Sequence, residues 1–240
     1  MRYGSSSNRH YLICKHIISI STSFIGPFLV RFDSIVILLS HFYSLNIYMS
    51  ISLGPKGKHV EAYKTLETLC KEGKIRGIGL SNYAVEDYQE LVAQGSLEIK
   101  PSVNQIEINP FMYRKNTIEF FQKEGILLQS YRSLRDGKAF DHPTLLKISR
   151  AHGKTPAQVL GRWCVQKGFV YVPKSVKKER MIENAKVFDF SLTDADLKEL
   201  DGLTTRESIQ NFVTLYRKCV NRDTTKDGTL DGVKMHITED

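Results

Sequence analysis

Hydrophobic and polar positions change period several times after Gly54. Residues 59–74 place Val60, Tyr63, Leu66 and Leu69 on one face of a helix, and residues 76–82 form a short apolar run that is typical of a buried strand. The same patterns predict strands at 45–52, 102–108, 126–131 and 169–174, and helices at 84–95, 116–125, 155–168 and 193–202. Strands that alternate with helices predict right-handed βαβ crossovers and a parallel sheet.

Several helix boundaries carry their own signals. Thr155 precedes Pro156 and is followed three residues later by Gln158, which predicts a capped N-terminus with a capping box. Thr193 is expected to cap the last helix, and Gly202 is expected to end it. In the helix at 84–95, the apolar spacing predicts that Val85, Tyr88, Leu91 and Val92 face inward.

The first 53 residues differ in composition from the rest of the chain. They contain one acidic residue, Asp33, and no Ala, Glu or Gln. We expect an atypical segment at 1–53, a domain at 54–219 and a polar tail at 220–240. Residues 34–53 have nearly the length of a membrane span, but their β-branched content favours strands. A translated non-coding sequence joined to a genuine exon is the other interpretation of the whole segment.

Length, charge and cysteine spacing limit the classes of function that the chain could have. The chain has 240 residues, a net charge of +8 and 41% hydrophobic residues, enough for one sizeable core. Its lysines and arginines are not interleaved with aromatic residues, so we expect no nucleic-acid partner. The four cysteines are widely spaced and lack clustered histidines, which predicts no metal site and a reducing, cytoplasmic compartment.

Polar residues follow each predicted strand at the end where ligands bind in parallel α/β folds. They are Ser81, Asn82, Gln105, Tyr131, Lys174 and Ser175. Hydroxyl and amide groups suit a carboxamide, and a tyrosine ring offers a stacking face, so the set suits nicotinamide. Each residue alone has a structural alternative: a helix cap for Ser81 and Asn82, a backbone partner for Gln105, and core packing for Tyr131.

A cationic segment surrounds the start of the helix that follows the last strand. Lys174, Lys177, Lys178 and Arg180 lie where the helix N-terminus is already positive, an arrangement that favours a bound anion. Glu183 and Asn184 follow Arg180 by three and four residues, so they share its face and could contact an adenine. A solvated basic face is the alternative.

The stretches GKIRGIGLSNY, VNQIEINPF, LLQSYRSL and VPKSVKKERMIENAKVFDFSL resemble the aldo-keto reductase family in order and spacing, from about Gly54 to about Cys219. The resemblance implies a (β/α)8 TIM-barrel fold, apparently incomplete with about strands 4 to 8, and an NADP(H)-dependent oxidoreductase that reduces aldehydes or ketones. It implies that Ser81, Asn82 and Gln105 hold the nicotinamide amide and that Tyr131 stacks on the ring. Lys174, Ser175 and Arg180 would hold the 2′-phosphate, and Glu183 and Asn184 would contact adenine.

The resemblance also implies catalytic residues that this sequence does not match. The family's proton-donating tyrosine, with its lysine and aspartate, comes from strands that have no recognisable counterpart here, and Ile51 or Ser52 stands where a histidine is expected. Arg132 replaces the usual proline after the stacking tyrosine and is a candidate contact to the pyrophosphate. We therefore expect impaired turnover of a small carbonyl substrate, with a non-catalytic nucleotide-binding or interaction protein as the alternative. Open barrel edges would favour self-association.

Overall fold

The computed structural model describes residues 28–32, 35–40, 47–51, 58–95 and 97–211. The predicted tail at 220–240 and most of the atypical segment at 1–53 lie outside these residues. Within them the chain divides into two compact units. The N-terminal unit comprises residues from 28 to 106, 114–128 and 205–211, and the C-terminal unit comprises 107–113 and 129–204.

From Ile47 onward, strands and helices alternate in the described residues as the periodicity predicts, except that two α-helices follow each of the last two strands. The strands are β1 (Phe28–Phe32), β2 (Ile35–Ser40), β3 (Ile47–Ile51), β4 (Gly77–Ser81), β5 (Val103–Glu107), β6 (Leu127–Tyr131) and β7 (Val170–Tyr171). The helices are α1 (Lys58–Lys71), α2 (Val85–Gly95), α3 (Lys115–Lys123), α4 (Pro143–His152), α5 (Pro156–Gln166), α6 (Lys178–Ala185) and α7 (Asp194–Asp201).

Strand pairing is parallel from β3 onward wherever a register is defined. β3 pairs with β4, β4 with β5 and β6 with β7, all parallel. β1 and β2 form an antiparallel hairpin, and β2 is antiparallel to β3. The strand predicted at 45–52 is therefore confirmed as β3. The hairpin at 28–40 was not predicted from the sequence.

The N-terminal unit is held by one face of α1 against the segment that leads into β5. The hydroxyl of Tyr63 donates to the carbonyl oxygen of Ile99 at 2.8 Å. The buried carboxylate of Glu67 accepts from the backbone N–H groups of Glu98 and Ile99, each at 2.9 Å. Because Tyr63 and Glu67 are four residues apart, they lie on the same face of α1, and their contacts fix the position of the segment that leads into β5.

The C-terminal unit packs around α5, whose cap has the predicted form. Thr155 and Gln158 form the capping box and Pro156 opens the helix. The indole N–H of the buried Trp163 donates to Asp201 on α7 at 2.8 Å. Gly161 is required by close packing, because a Cβ there would lie 2.9 Å from the Tyr171 ring and 2.9 Å from the Val187 side chain.

Two details differ from the predicted pattern. Val92 is 46% exposed, so the prediction that it faces inward is wrong; Tyr88 and Leu91 are buried, and the next position along the helix rotates away from them. Helix α4 was not predicted, although Pro143 opens it and Gly153 ends it in a left-handed conformation.

Candidate functional site

Ser81 ends β4, Asn82 follows it, and Gln105 is the third residue of β5, level with Ser81. The register aligns Ser81 with Gln105, and the backbone N–H of Asn82 donates to the carbonyl oxygen of Gln105 at 2.8 Å. Ser81 is buried, and the other two are partly exposed. The hydroxyl and the amides that were predicted to hold a carboxamide are thus brought to one edge of the sheet.

Asn82 has a left-handed backbone conformation with a φ of 58°. This conformation is uncommon for a residue with a side chain and persists only where its surroundings fix it. The fully buried Asn104 does so: its amide donates to the carbonyl oxygen of Tyr83 at 3.0 Å and accepts from the N–H of Tyr83 at 3.4 Å. Asn104 therefore shapes the turn that presents Asn82, a role that the sequence analysis missed.

Tyr131 ends β6 and is partly exposed. Arg132, which follows it, has a φ of 50°, and Arg135 and Asp136 are left-handed as well. The guanidinium of Arg132 lies 3.2 Å from the Glu107 carboxylate and 3.3 Å from that of Asp136. Arg132 was a candidate for a pyrophosphate contact, but both of its terminal nitrogens already pair with carboxylates inside this unit.

Lys174 and Arg180 flank the start of α6, and both are exposed. Neither they nor Lys177 and Lys178 form an ion pair with any residue that the structure describes. Lys177 occupies the N-cap position of α6 without a capping side-chain hydrogen bond. The first N–H groups of α6 and the surrounding cations are therefore available to an anion.

Ser175 connects the strand end to this helix. Its hydroxyl oxygen accepts from the N–H of Lys177 at 3.2 Å, and the same hydroxyl lies 3.3 Å from the carbonyl oxygen of Lys177. This local turn holds the chain between Lys174 and α6 in one conformation. Val176, at the tip of the turn, is 88% exposed.

Asn184 and Glu183 lie on α6 at the positions predicted to contact adenine. Asn184 is 4% exposed, and its amide has no hydrogen bond to another described residue. Burial raises the pKa of the neighbouring Tyr171 phenol well above its usual value, and the nearby Cys164 and Glu183 add to the shift. The polar atoms of the Asn184 amide are not fully enclosed, so they can form hydrogen bonds with a ligand or with water.

The described residues form no metal site and contain no membrane-spanning helix. Among the described residues, no cluster of His, Cys, Asp and Glu has the arrangement of a metal site. In the same part of the chain, no helix has both the length and the apolar character needed to cross a membrane.

The comparisons with known proteins agree with this geometry. The family model described as the Aldo/keto reductase family matches residues 33–205, and the chain therefore belongs to the aldo-keto reductase family. The uncharacterized oxidoreductase YtbE of Bacillus subtilis (strain 168) is 40% identical over 159 residues, which are 66% of this chain and 56% of that protein. Glyoxal reductase of the same organism is 39% identical over 165 residues, 69% of this chain and 59% of that protein.

A solved structure of a Gox0644 variant in complex with NADPH shares 34% identity with a TM-score of 0.60 and covers 63% of this chain and 55% of that chain. The fold is thus α/β with parallel strands, and the solved relatives imply a (β/α)8 barrel of which this chain supplies a part. The chain spans about half the length of the curated relatives it matches.

The family match begins at residue 33, before the composition change at Gly54. It therefore includes β2 and His41, which directly follows the last residue of β2 in the sequence. The sequence analysis sought the family's strand-end histidine at Ile51 or Ser52, beside the strand now seen as β3. Ile51 ends β3, so no histidine stands at that strand end in this sequence.

Proposed function

We propose that this chain binds NADP(H) and belongs to the reductases that transfer hydride between this cofactor and an aldehyde or ketone. The observation that carries the proposal is the start of α6. There an uncapped helix N-terminus, the cations Lys174 and Arg180 without ion-pair partners among the described residues, and the Asn184 amide without a described hydrogen-bond partner occur within one short segment. A 2′-phosphate beside an adenine would match these charges and hydrogen-bonding groups.

The strand ends supply the complementary half of the proposal. Ser81, Asn82 and Gln105 would hold the carboxamide of nicotinamide, and Tyr131 would stack on the ring, because these side chains follow strands at the end where α/β folds bind ligands. Lys174, Ser175 and Arg180 would hold the phosphate, with Glu183 and Asn184 at the adenine. When bound, NADPH supplies the hydride.

Turnover is the second part of the proposal. The sequence has no recognised counterpart of the family's tyrosine, lysine and aspartate, so the carbonyl oxygen would lack its general acid. A positioned general acid contributes about 10²–10⁴-fold, and we expect aldehyde reduction by this chain to be slower by a factor of that order.

The test is a titration of the purified chain with NADPH, followed by a single-turnover assay with a panel of aldehydes. We expect NADPH to bind and its oxidation to be slow. Binding without any oxidation would favour the alternative of a nucleotide-binding protein derived from a reductase. Absence of NADPH binding would refute the proposal itself. Self-association through open strand edges stays a prediction, which sedimentation of the same sample would check.

A further inference from the structure

A carboxylate of the C-terminal unit is buried against Arg132, the residue after Tyr131, without belonging to the proposed contacts. Glu107 ends β5, and its side chain is 6% exposed. Its Oε2 lies 3.2 Å from Nη1 of Arg132, and its Oε1 accepts a hydrogen bond from the amide of Asn109 at 3.4 Å. Burial raises the pKa of the Glu107 carboxyl despite the opposing effects of Arg132, Asn109 and Arg135. A buried carboxylate of this kind adds little to the stability of a fold, because its desolvation offsets the attraction of its ionic partner.

Both neighbours of Tyr131 in the chain are tied to the same segment that contains Glu107. On one side the Ser130 hydroxyl donates to the carbonyl oxygen of Ile108 at 2.6 Å. On the other side Arg132 pairs with Glu107, and the carbonyl oxygen of Arg132 accepts from the Asn109 amide at 3.3 Å. Residues 107–109 therefore hold the backbone before and after Tyr131.

Arg132 needs this support because its backbone is left-handed. Such a conformation in a residue with a side chain is unfavourable and persists only where other contacts impose it. Asp136 also pairs with Arg132, but its side chain is 63% exposed, so water screens that contact. The buried contact with Glu107 is the stronger of the two constraints.

We propose that Glu107 and Arg132 are positioning residues that fix the ring of Tyr131 for stacking on the nicotinamide. The inference rests on the proposed function, because it concerns the ring of the cofactor named there. It assigns Arg132 a supporting role and not a direct phosphate contact. Glu107 and Arg132 should therefore affect the binding of the nicotinamide end of the cofactor and leave the binding of its adenine and 2′-phosphate end unchanged.

The experiment compares two ligands on the full chain. NADPH reports the whole site, whereas adenosine 2′,5′-bisphosphate reports only the part proposed at α6. We expect Glu107→Gln and Arg132→Met each to weaken NADPH binding about tenfold, a coupling of roughly 1.4 kcal/mol, and the double variant to lose no more than either single variant. Affinity for adenosine 2′,5′-bisphosphate should stay within about twofold in every variant. The fluorescence of bound NADPH should shift in the variants, because its ring environment changes.

Asp136→Asn is the matched control, since it removes the exposed carboxylate from the same guanidinium and should leave both affinities unchanged. Arg132→Lys keeps the positive charge but lacks the forked guanidinium, so its NADPH affinity should lie between those of the wild type and Arg132→Met. This variant also tests the inference if Glu107→Gln does not fold. Unchanged NADPH affinity in the folded Glu107 and Arg132 variants would overturn the inference, as would an equal loss for both ligands. Failure of the wild-type chain to bind either ligand would instead refute the proposed function.

Discussion

Ser81, Asn82 and Gln105 are held differently from Lys174 and Arg180. The first group belongs to a parallel strand pair, where backbone hydrogen bonds and the buried Asn104 set its geometry. The second group consists of exposed side chains around a helix start without partners among the described residues. The strand-end group is therefore held by the fold itself, whereas the proposed cationic group would act through charge and would be ordered only on binding.

This difference predicts which property a substitution in each group changes. Changes near the strand ends should act through the fold, because they leave buried backbone groups without partners. Changes at the helix start should act on ligand affinity alone and should depend on salt, because exposed charges are screened.

The largest effect is expected from Asn104→Leu. The substitution leaves the N–H and carbonyl oxygen of Tyr83 without their buried side-chain partner. Each unsatisfied buried group costs about 1–3 kcal/mol, so we expect the free energy of unfolding to fall by about 3 kcal/mol in urea denaturation. Gln94→Leu is the control: Gln94 pairs with Glu90 on the exposed face of α2, and its loss should cost under about 0.5 kcal/mol. Equal costs would refute the role of Asn104.

The next effect concerns the cationic group. Removing one charge-assisted contact costs about 2 kcal/mol, so Lys174→Met and Arg180→Ala should each weaken NADPH binding about 30-fold. NADH lacks the 2′-phosphate, and its affinity should not change. Isothermal titration at two salt concentrations would measure both, and the wild-type preference for NADPH should decrease at higher salt.

The control for this pair is Lys198→Met on α7, an exposed lysine of the same unit. It should leave NADPH affinity unchanged. An equal loss in all three variants would indicate a general charge effect and would contradict a phosphate site at α6.

A smaller effect is expected at a helix cap. The Thr193 side chain accepts from the N–H of Asp196 at 3.1 Å, and Asp196 caps the N–H of Thr193 in return. Thr193→Ala should lower the free energy of unfolding by about 1 kcal/mol. Thr65→Ala, on the exposed face of α1, should be neutral or stabilising because alanine favours a helix interior. Loss of stability in Thr65→Ala alone would contradict this account of the cap.

The smallest effect is a change in pH dependence at Glu107. Because burial raises its pKa in the folded state, the folded chain binds more protons than the unfolded chain between the ordinary and the raised pKa. Stability therefore falls as the pH rises from 4.5 through the raised value. Thermal unfolding should show this fall in the wild type and not in Glu107→Gln. A parallel pH profile in the two proteins would contradict the burial effect.

The sequence was sufficient for the elements that carry local signals. The capping box at Thr155, the cap at Thr193 and the apolar runs of β4, β5 and β6 are confirmed, because these signals depend on neighbouring residues. The cationic segment was predicted from charge alone. Its assignment to a phosphate stays a prediction.

The loop after Tyr131 could not be predicted. Asp136-Gly137 is a local turn signal, but the left-handed Arg132 has none, and its side chain pairs with Glu107, which is distant in the sequence. The hairpin β1–β2 was missed because composition dominated the interpretation of residues 1–53. Asn104 was missed because a buried amide in an apolar strand has no local signature.

The most direct measurement is the affinity of the purified chain for NADPH and NADH under identical conditions. Our account predicts that NADPH binds at least about 30-fold more tightly, that adenosine 2′,5′-bisphosphate competes with it, and that Arg180→Ala lowers this preference about 30-fold. Equal affinities for the two cofactors, or no binding of either, would contradict the account.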